Sequence, residues 1–220
     1  MRLWGHGGAY DPRGEVALFE RAGLFNCAPR ARLDLPAVLG CVSRGTRLLA
    51  TPAQVDGAAQ ANLSVIGGDW GAPKVALGGT RGLPDATEIH FVMPLHASRA
   101  LVSRVDFVST AASNRAVPPW LFTELGVLHW CSQRQGWRLL ERHAGVAVEQ
   151  IRERTGFPVL VDGDVPESPP IDDEWLQAVE RVDPRRVREL DFVTGPQARL
   201  ERLAQIEAAE HAAVERLVME

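Results

Sequence analysis

Apolar positions along the chain follow two periods. Residues 88–93, Glu-Ile-His-Phe-Val-Met, are the clearest β-like run, and shorter apolar runs at 15–19, 47–50, 63–66, 74–77 and 105–108 predict further strands. Residues 120–130 and 137–140 flank a polar stretch closed by Gly136, which predicts a hairpin, and 157–161 predict a late strand. Residues 36–42 read as a short helix. Helical spacing then takes over at 146–155, where Val148 and Ile151 share a face and Gly156 ends the run. Asp172, Asp173 and Glu174 predict the start of a helix that carries Trp175, Leu176, Val179 and Val182 on one stripe. From Gln197 to Met219 there is no Gly or Pro, and Leu200, Leu203, Ile206, Ala213, Leu217 and Val218 recur at near-helical spacing. That stretch predicts one amphipathic helix laid on the domain or on a partner. The expected organisation is an N-terminal arm (1–14), a core domain (15–195) and a C-terminal helix (196–220).

Composition narrows the function classes. The 220 residues are 45% hydrophobic and 24% charged, which fits a folded globule with one core. A formal net charge of -4 supplies no basic field for nucleic acid. No apolar run reaches the length of a membrane span, and the first residues lack the apolar segment of a signal peptide. A cytoplasmic location is expected. Cys27, Cys41 and Cys131 show no repeated spacing, hence no disulfide framework and no metal site. Lys74 is the sole lysine and sits in a turn-like stretch, a poor place for Schiff-base chemistry.

The candidate chemistry begins where the 74–77 run, read as a buried strand, empties into Gly78-Gly79-Thr80-Arg81-Gly82. A loop so rich in glycine lets a ligand approach backbone amides. It lacks the GK[ST] ending of a phosphate-binding P-loop and the spacing of a dinucleotide fingerprint. Asn62 and Ser64, beside Asp56, suit either a polar cleft or hydrogen bonding within a turn. His6 lies between glycines, where it could enter a cleft as an acid or base or simply face solvent. His90 falls mid-strand and reads as core, whereas His96 follows a strand end, where open α/β sheets bind ligands.

The order of these motifs resembles a known family. The series is Glu20-Arg-Ala-Gly-Leu-Phe-Asn-Cys-Ala-Pro29, Ala53-Gln-Val-Asp56, Ala61-Asn-Leu-Ser64, the 78–82 loop, Val105-Asp-Phe-Val-Ser-Thr110, Phe122-Thr-Glu-Leu-Gly-Val-Leu128, Glu153-Arg-Thr-Gly-Phe157 and Val182-Asp-Pro184. Across about residues 15–190 it is similar to the β subunits of family I CoA-transferases, in the glutaconate branch, which includes relatives that hydrolyse or decarboxylate acyl-CoAs. The resemblance implies an open, mostly parallel α/β sheet flanked by helices. It implies a homologous α subunit as partner and a CoA thioester as substrate, with no bound cofactor. It places Asn62 and Ser64 near the substrate cleft and Gly78, Gly79, Thr80, Arg81 and Gly82 at the oxyanion and CoA loop. In the transferases a glutamate attacks the thioester, and backbone amides stabilise the oxyanion.

Two departures bear on the reaction. The family's glutamate stands two residues before the glycine of its strand–turn. Here that glycine is Gly23 and the residue is Arg21, with Glu20 one step earlier. One step along a strand turns a side chain to the opposite face, so Glu20 serves as nucleophile only across a bulge. Arg21 is always protonated; it can bind a carboxylate or thioester oxygen but cannot attack. Decarboxylating relatives carry cysteine at this position; Cys27 lies further on, as a reactive thiol or a small packing residue. The second departure is at the front, where the family has a further strand and helix. The catalytic candidates are therefore Glu20, Arg21 and Cys27. The expected function is a β-like subunit of an acyl-CoA-processing enzyme, by transfer, hydrolysis, decarboxylation or carbon–carbon cleavage. A catalytically inert subunit that completes a partner's cleft is the alternative.

Overall fold

The computed structural model describes residues 9–10, 30–34, 36, 37, 40, 47–67, 71–77, 87–113 and 115–219. The chain divides into two compact units, 39–169 and a second made of 1–38 with 170–220.

In the larger unit, β3 (Arg47–Ala50), β8 (Glu88–Met93), β11 (Trp120–Thr123), β12 (Gly126–Cys131) and β13 (Gly136–Arg142) form a five-stranded sheet in the order β13-β12-β11-β8-β3. Pairing is parallel through β3, β8 and β11 and antiparallel from β11 to β13. The α/β reading holds, and the sheet is mixed. The long crossovers give the parallel half, and the tight turns at 124–125 and 132–135 give the antiparallel half. A four-stranded sheet, β10-β5-β4-β9, joins β4 (Gln54–Asp56), β5 (Gln60–Asn62), β9 (Leu101–Val102) and β10 (Thr110–Ala111). A separate pair joins β6 (Val65–Ile66) and β7 (Val75–Ala76).

Burial follows the pleat. Along β12 the odd positions Gly126, Leu128 and Trp130 in the strand are buried, and the residues between them are half-exposed. Trp137 packs edge-on against Phe91 and Trp130, with ring centroids 6.4 and 5.6 Å away. Its indole N–H donates to the Asp56 carbonyl at 2.9 Å, tying β13 to β4. Gly126 admits no side chain, since a Cβ there would sit 2.5 Å from the Glu141 carbonyl oxygen.

Several expectations change. Residues 105–108 form no strand and bend at 106 and 107, because Val105 and Asp106 spend their amides on the side chains of Asp56 and Gln54 rather than on a neighbouring strand. The run at 74–77 is a two-residue exposed strand, with Val75 47% exposed, not a buried one. The 157–161 run contributes one isolated bridge, Leu160 to Arg138, since Pro158 removes a ladder donor. The helix Val148–Glu153 lies inside its expected range and buries Ile151. Pro36, Ala37 and Gly40 are helical, as read, and the Asp34 carboxylate accepts the Ala37 amide at 2.9 Å. The expected strand at 15–19 lies outside the described residues.

In the smaller unit, β1 (Ala9–Tyr10) pairs antiparallel with β2 (Ala31–Arg32). The helix Asp173–Val182 starts on Asp172, whose side chain accepts the Glu174 amide at 2.7 Å. Its apolar stripe is solvent-facing, with Trp175 70% exposed. Asp183 is buried and takes the Val187 and Arg188 amides and the Arg188 guanidinium. It thereby starts the short 3₁₀ turn Val187–Asp191. The C-terminal helix Pro196–Met219 lies on that turn through Ile206, which is buried with Val187 and Leu190. Arg202 ties the same elements by an ion pair to Glu189 at 2.9 Å.

Among the described residues, Ile206 is the buried anchor of this helix, with Leu203 packed beside it. Ile206→Ala should lower stability by about 2–4 kcal/mol through the cavity it leaves. Limited proteolysis should then cut the C-terminal helix sooner than wild type; an unchanged cleavage rate and melting temperature would contradict this packing.

Candidate functional site

Three groups of polar side chains in the larger unit are candidates for chemistry. The first is the bend after β5. Asn62 is fully buried. Its amide nitrogen donates to the Gln54 side-chain oxygen at 2.8 Å and to the Val65 carbonyl at 2.5 Å. Its oxygen accepts from the Ser64 and Val65 amides at 3.0 and 3.2 Å. Two donors and two acceptor positions are thus all engaged within the chain. Ser64 is buried, with its hydroxyl 2.7 Å from that of Ser109. Both residues hold the turn into β6, the turn-bonding role open to them from sequence.

The second group surrounds His96, just beyond the carboxyl end of β8. Its Nδ1 lies 2.9 Å from the Thr123 hydroxyl and its Nε2 2.8 Å from the Thr155 hydroxyl. Thr155 donates its own hydrogen to the Ile151 carbonyl at 2.7 Å. The Nε2 position therefore carries the proton, and the Thr123 hydroxyl has its one hydrogen between Nδ1 and the Gly126 carbonyl, the latter 3.0 Å away. Burial pushes the His96 pKa down to about 4. His96 is a neutral link between the strand end and the Val148–Glu153 helix, with both nitrogens occupied.

The third group lines a cavity of about 480 Å³ at the amino ends of the parallel strands, formed by Arg47, Glu88, His90, Val117, Trp120 and Phe122. Arg47 pairs with Glu88 at 2.5 Å. The bond from Arg47 holds the Glu88 carboxyl below its ordinary range. His90 Nδ1 accepts the Trp120 amide at 3.2 Å, so its proton sits on Nε2, which faces Glu88 at 3.5 Å. Burial lowers the His90 pKa, with Glu88 opposing. Trp120 and Phe122 stack at 6.1 Å and form a flat aromatic wall. His90 is buried, as the sequence reading expected, and the alternation of β8 turns it to the face away from Ile89 and Phe91, where it lines this cavity. The signal that could have found this cavity is the Glu88, His90 spacing with Trp120 and Phe122 at the same two-residue step.

Glu20, Arg21, Cys27, Gly78, Gly79, Thr80, Arg81 and Gly82 all lie outside the described residues, as does His6. Of the expected site residues the structure thus places Asn62 and Ser64, and it brings these two together around β6. Among the described residues no group of His, Cys, Asp or Glu could hold a metal ion, and no helix is long and apolar enough to cross a membrane.

No protein-family model matches the sequence, and no curated protein matches it. Solved structures do resemble it. The decarboxylase AibA/AibB aligns over 86% of this chain and 79% of its own, with a TM-score of 0.71 and 23% identity. IpdAB of Rhodococcus jostii RHA1 aligns over 76% and 73%, with a TM-score of 0.64 and 24% identity. Glutaconate coenzyme A-transferase from Acidaminococcus fermentans aligns over 86% and 80%, with a TM-score of 0.67 and 16% identity. The chain has the family I CoA-transferase-like α/β fold.

His96 makes stability depend on pH. Its folded pKa of about 4 lies below the ordinary 6.5, so the unfolded chain takes up the proton first as pH falls. The contribution is fully present above pH 6.5 and is lost progressively down to about pH 4. The drop from 6.5 to about 4 corresponds to about 3 kcal/mol. Urea unfolding of wild type and His96→Gln at pH 7 and pH 4.5 should show a smaller pH-dependent loss in the variant; equal losses would assign the pH dependence elsewhere.

Proposed function

We propose that this chain is the β-like subunit of an enzyme that processes an acyl-CoA thioester, working with a homologous α subunit. The observation that carries the reading is the shared fold over 86% of the chain, joined to the motif order read from the sequence. Two of the similar structures bear paired names, AibA/AibB and IpdAB, which favours a two-component assembly. The names of the similar structures include a decarboxylase and a CoA-transferase, so the fold accommodates more than one outcome.

In this reading the backbone amides of the 78–82 stretch stabilise the negative charge of an oxyanion or enolate. Thr80 and Arg81 meet polar groups of CoA. A few arginines and amides suffice for its phosphates, and the chain's slight acidity is no obstacle. Arg21 stands where a transferase has its nucleophilic carboxylate. Its guanidinium binds a substrate carboxylate or the thioester oxygen by charge-assisted hydrogen bonds. Glu20 and Cys27 are the remaining groups able to exchange a proton or attack. With the carboxylate out of register, hydrolysis, decarboxylation or carbon–carbon cleavage of a CoA ester is favoured over transfer through a glutamyl thioester.

The test uses the chain purified with its co-produced α subunit and a panel of acyl-CoAs, with products read by mass spectrometry. Combined Glu20→Gln, Cys27→Ser and Arg81→Gln substitutions should reduce turnover by about 100-fold or more, the scale of losing a proton-transfer group. Full activity after all three changes would instead make this chain an inert partner of a catalytic α subunit. Arg21→Glu should allow CoA to be trapped covalently on the chain. Trapping no greater than in wild type would show that the nucleophile position has been misplaced.

A further inference from the structure

The helix Asp173–Val182 is turned inside out. An amphipathic helix on a domain surface buries its apolar stripe and offers its charged face to water. Here no residue of the helix is buried, and Trp175, Leu176, Val179 and Val182 are all exposed, Trp175 by 70%. The charged side is the one that meets the chain: Glu180 pairs with Arg188 at 2.6 Å and with Arg186 at 3.5 Å. The nearby buried cluster of Val187, Leu190 and Ile206 takes none of the stripe. Ten residues are also too few for backbone bonds alone to hold a helix firmly in water. Among the described residues nothing buries the stripe.

The residues of the stripe and its edge say what fits. Trp175, Val179 and Val182 are spaced by four and then three residues, the seam spacing of two helices packed side by side. At about 100° per residue, Glu174 and Arg181 fall on the same flank of that seam, two turns apart. Neither has an ion-pair partner among the described residues. The small Ala178 lies between them on that flank and allows close approach. A two-fold axis through the middle of the seam sets a second helix antiparallel. Trp175 of each copy then meets Val182 of the other, and Glu174 of each lies beside Arg181 of the other. The same contact is made twice, as an isologous interface requires. A lipid surface fits poorly, because the polar face carries Asp172, Asp173, Glu174 and Glu180 against Arg181 alone.

We propose that this stripe is a self-association surface, on which a second copy of this chain packs antiparallel through Trp175, Val179 and Val182. It offers roughly 400 Å² of apolar surface per copy, the size of a functional patch. Two copies bury about 900 Å² together, the size class of weak, concentration-dependent association. The proposal does not rest on the acyl-CoA reading.

Sedimentation velocity of the full chain over a range of concentrations, alone and with its co-produced α subunit, tests this. Wild type should pass from monomer to dimer as concentration rises. Trp175→Ser should raise the dissociation constant about 30-fold, the scale of truncating a central aromatic anchor. Arg181→Glu should raise it about 5-fold, since two rim pairs become like-charge contacts. Adding Glu174→Arg to Arg181→Glu reverses both charges and should return the constant to within about twofold of wild type. A wild-type chain that stays monomeric at every concentration would overturn the proposal. A double charge swap as weak as Arg181→Glu alone would overturn it as well, because the antiparallel register would be wrong. If Trp175→Ser releases the α subunit and leaves self-association unchanged, the stripe is that subunit's seat and the proposal fails. Trp175-dependent binding to phosphatidylserine-containing vesicles by a chain that does not dimerise would also overturn it. Should Trp175→Ser not fold, the charge-swap pair decides the same question.

Discussion

Asp56 is the point through which the larger unit is assembled. Its carbonyl accepts the indole N–H of Trp137 from the five-stranded sheet, while its carboxylate gathers the Ala58 and Gln60 amides and that of Val105. One residue therefore closes the β4–β5 turn, pins the 105–108 segment and joins two sheets. A buried carboxylate is stable only when its oxygens are met, and here three backbone amides meet them. Trp137 in turn places its ring against Phe91 and Trp130, so the largest buried side chains of the core are oriented by a polar bond at its edge. Gly57 follows at once, and Phe157 packs where its side chain would be, 3.0 Å from a built Cβ.

The same economy recurs at each strand end. Thr123 ends β11 with a hydroxyl shared by the Leu125 and Gly126 amides and His96. His143 bonds the Thr123 carbonyl through Nε2 at 3.0 Å and the Ser168 hydroxyl through Nδ1 at 3.2 Å. Polar side chains serve here as fasteners for loops that have no ladder of their own. A histidine near a strand's carboxyl end invites a catalytic reading, but two occupied ring nitrogens in a buried site describe a structural link. The two nitrogens of His90 have the opposite situation. One holds an amide, and the other faces a carboxylate at the edge of an open cavity.

How much of this was legible varied by residue. The β12–β13 hairpin was readable because Gly136 and the polar 132–135 turn interrupt two apolar runs. The Asp172 cap and the C-terminal helix were readable because caps and helical spacing are local signals. The 105–108 segment was not. Its Val-Asp-Phe-Val pattern suits a strand, but Asp56 and Gln54, about fifty positions earlier, compete for its amides. For Asn62, the sequence left cleft and turn as alternatives. The four bonds around it weight the turn, and no spacing rule contains that information.

The sequence by itself determined the class of the fold, the positions of its hairpin and helices, and a motif order similar to acyl-CoA enzymes. These follow from periodicity and turn chemistry, which act over a few residues. The tertiary structure alone decided that the sheet is mixed and that His96 is a neutral fastener. It also decided that His90 looks into a cavity with Trp120 and Phe122. Those facts depend on contacts between residues twenty-seven to eighty-one positions apart. Hydrogen-bond partners at such separations are chosen by the packed chain, and no local pattern can choose them.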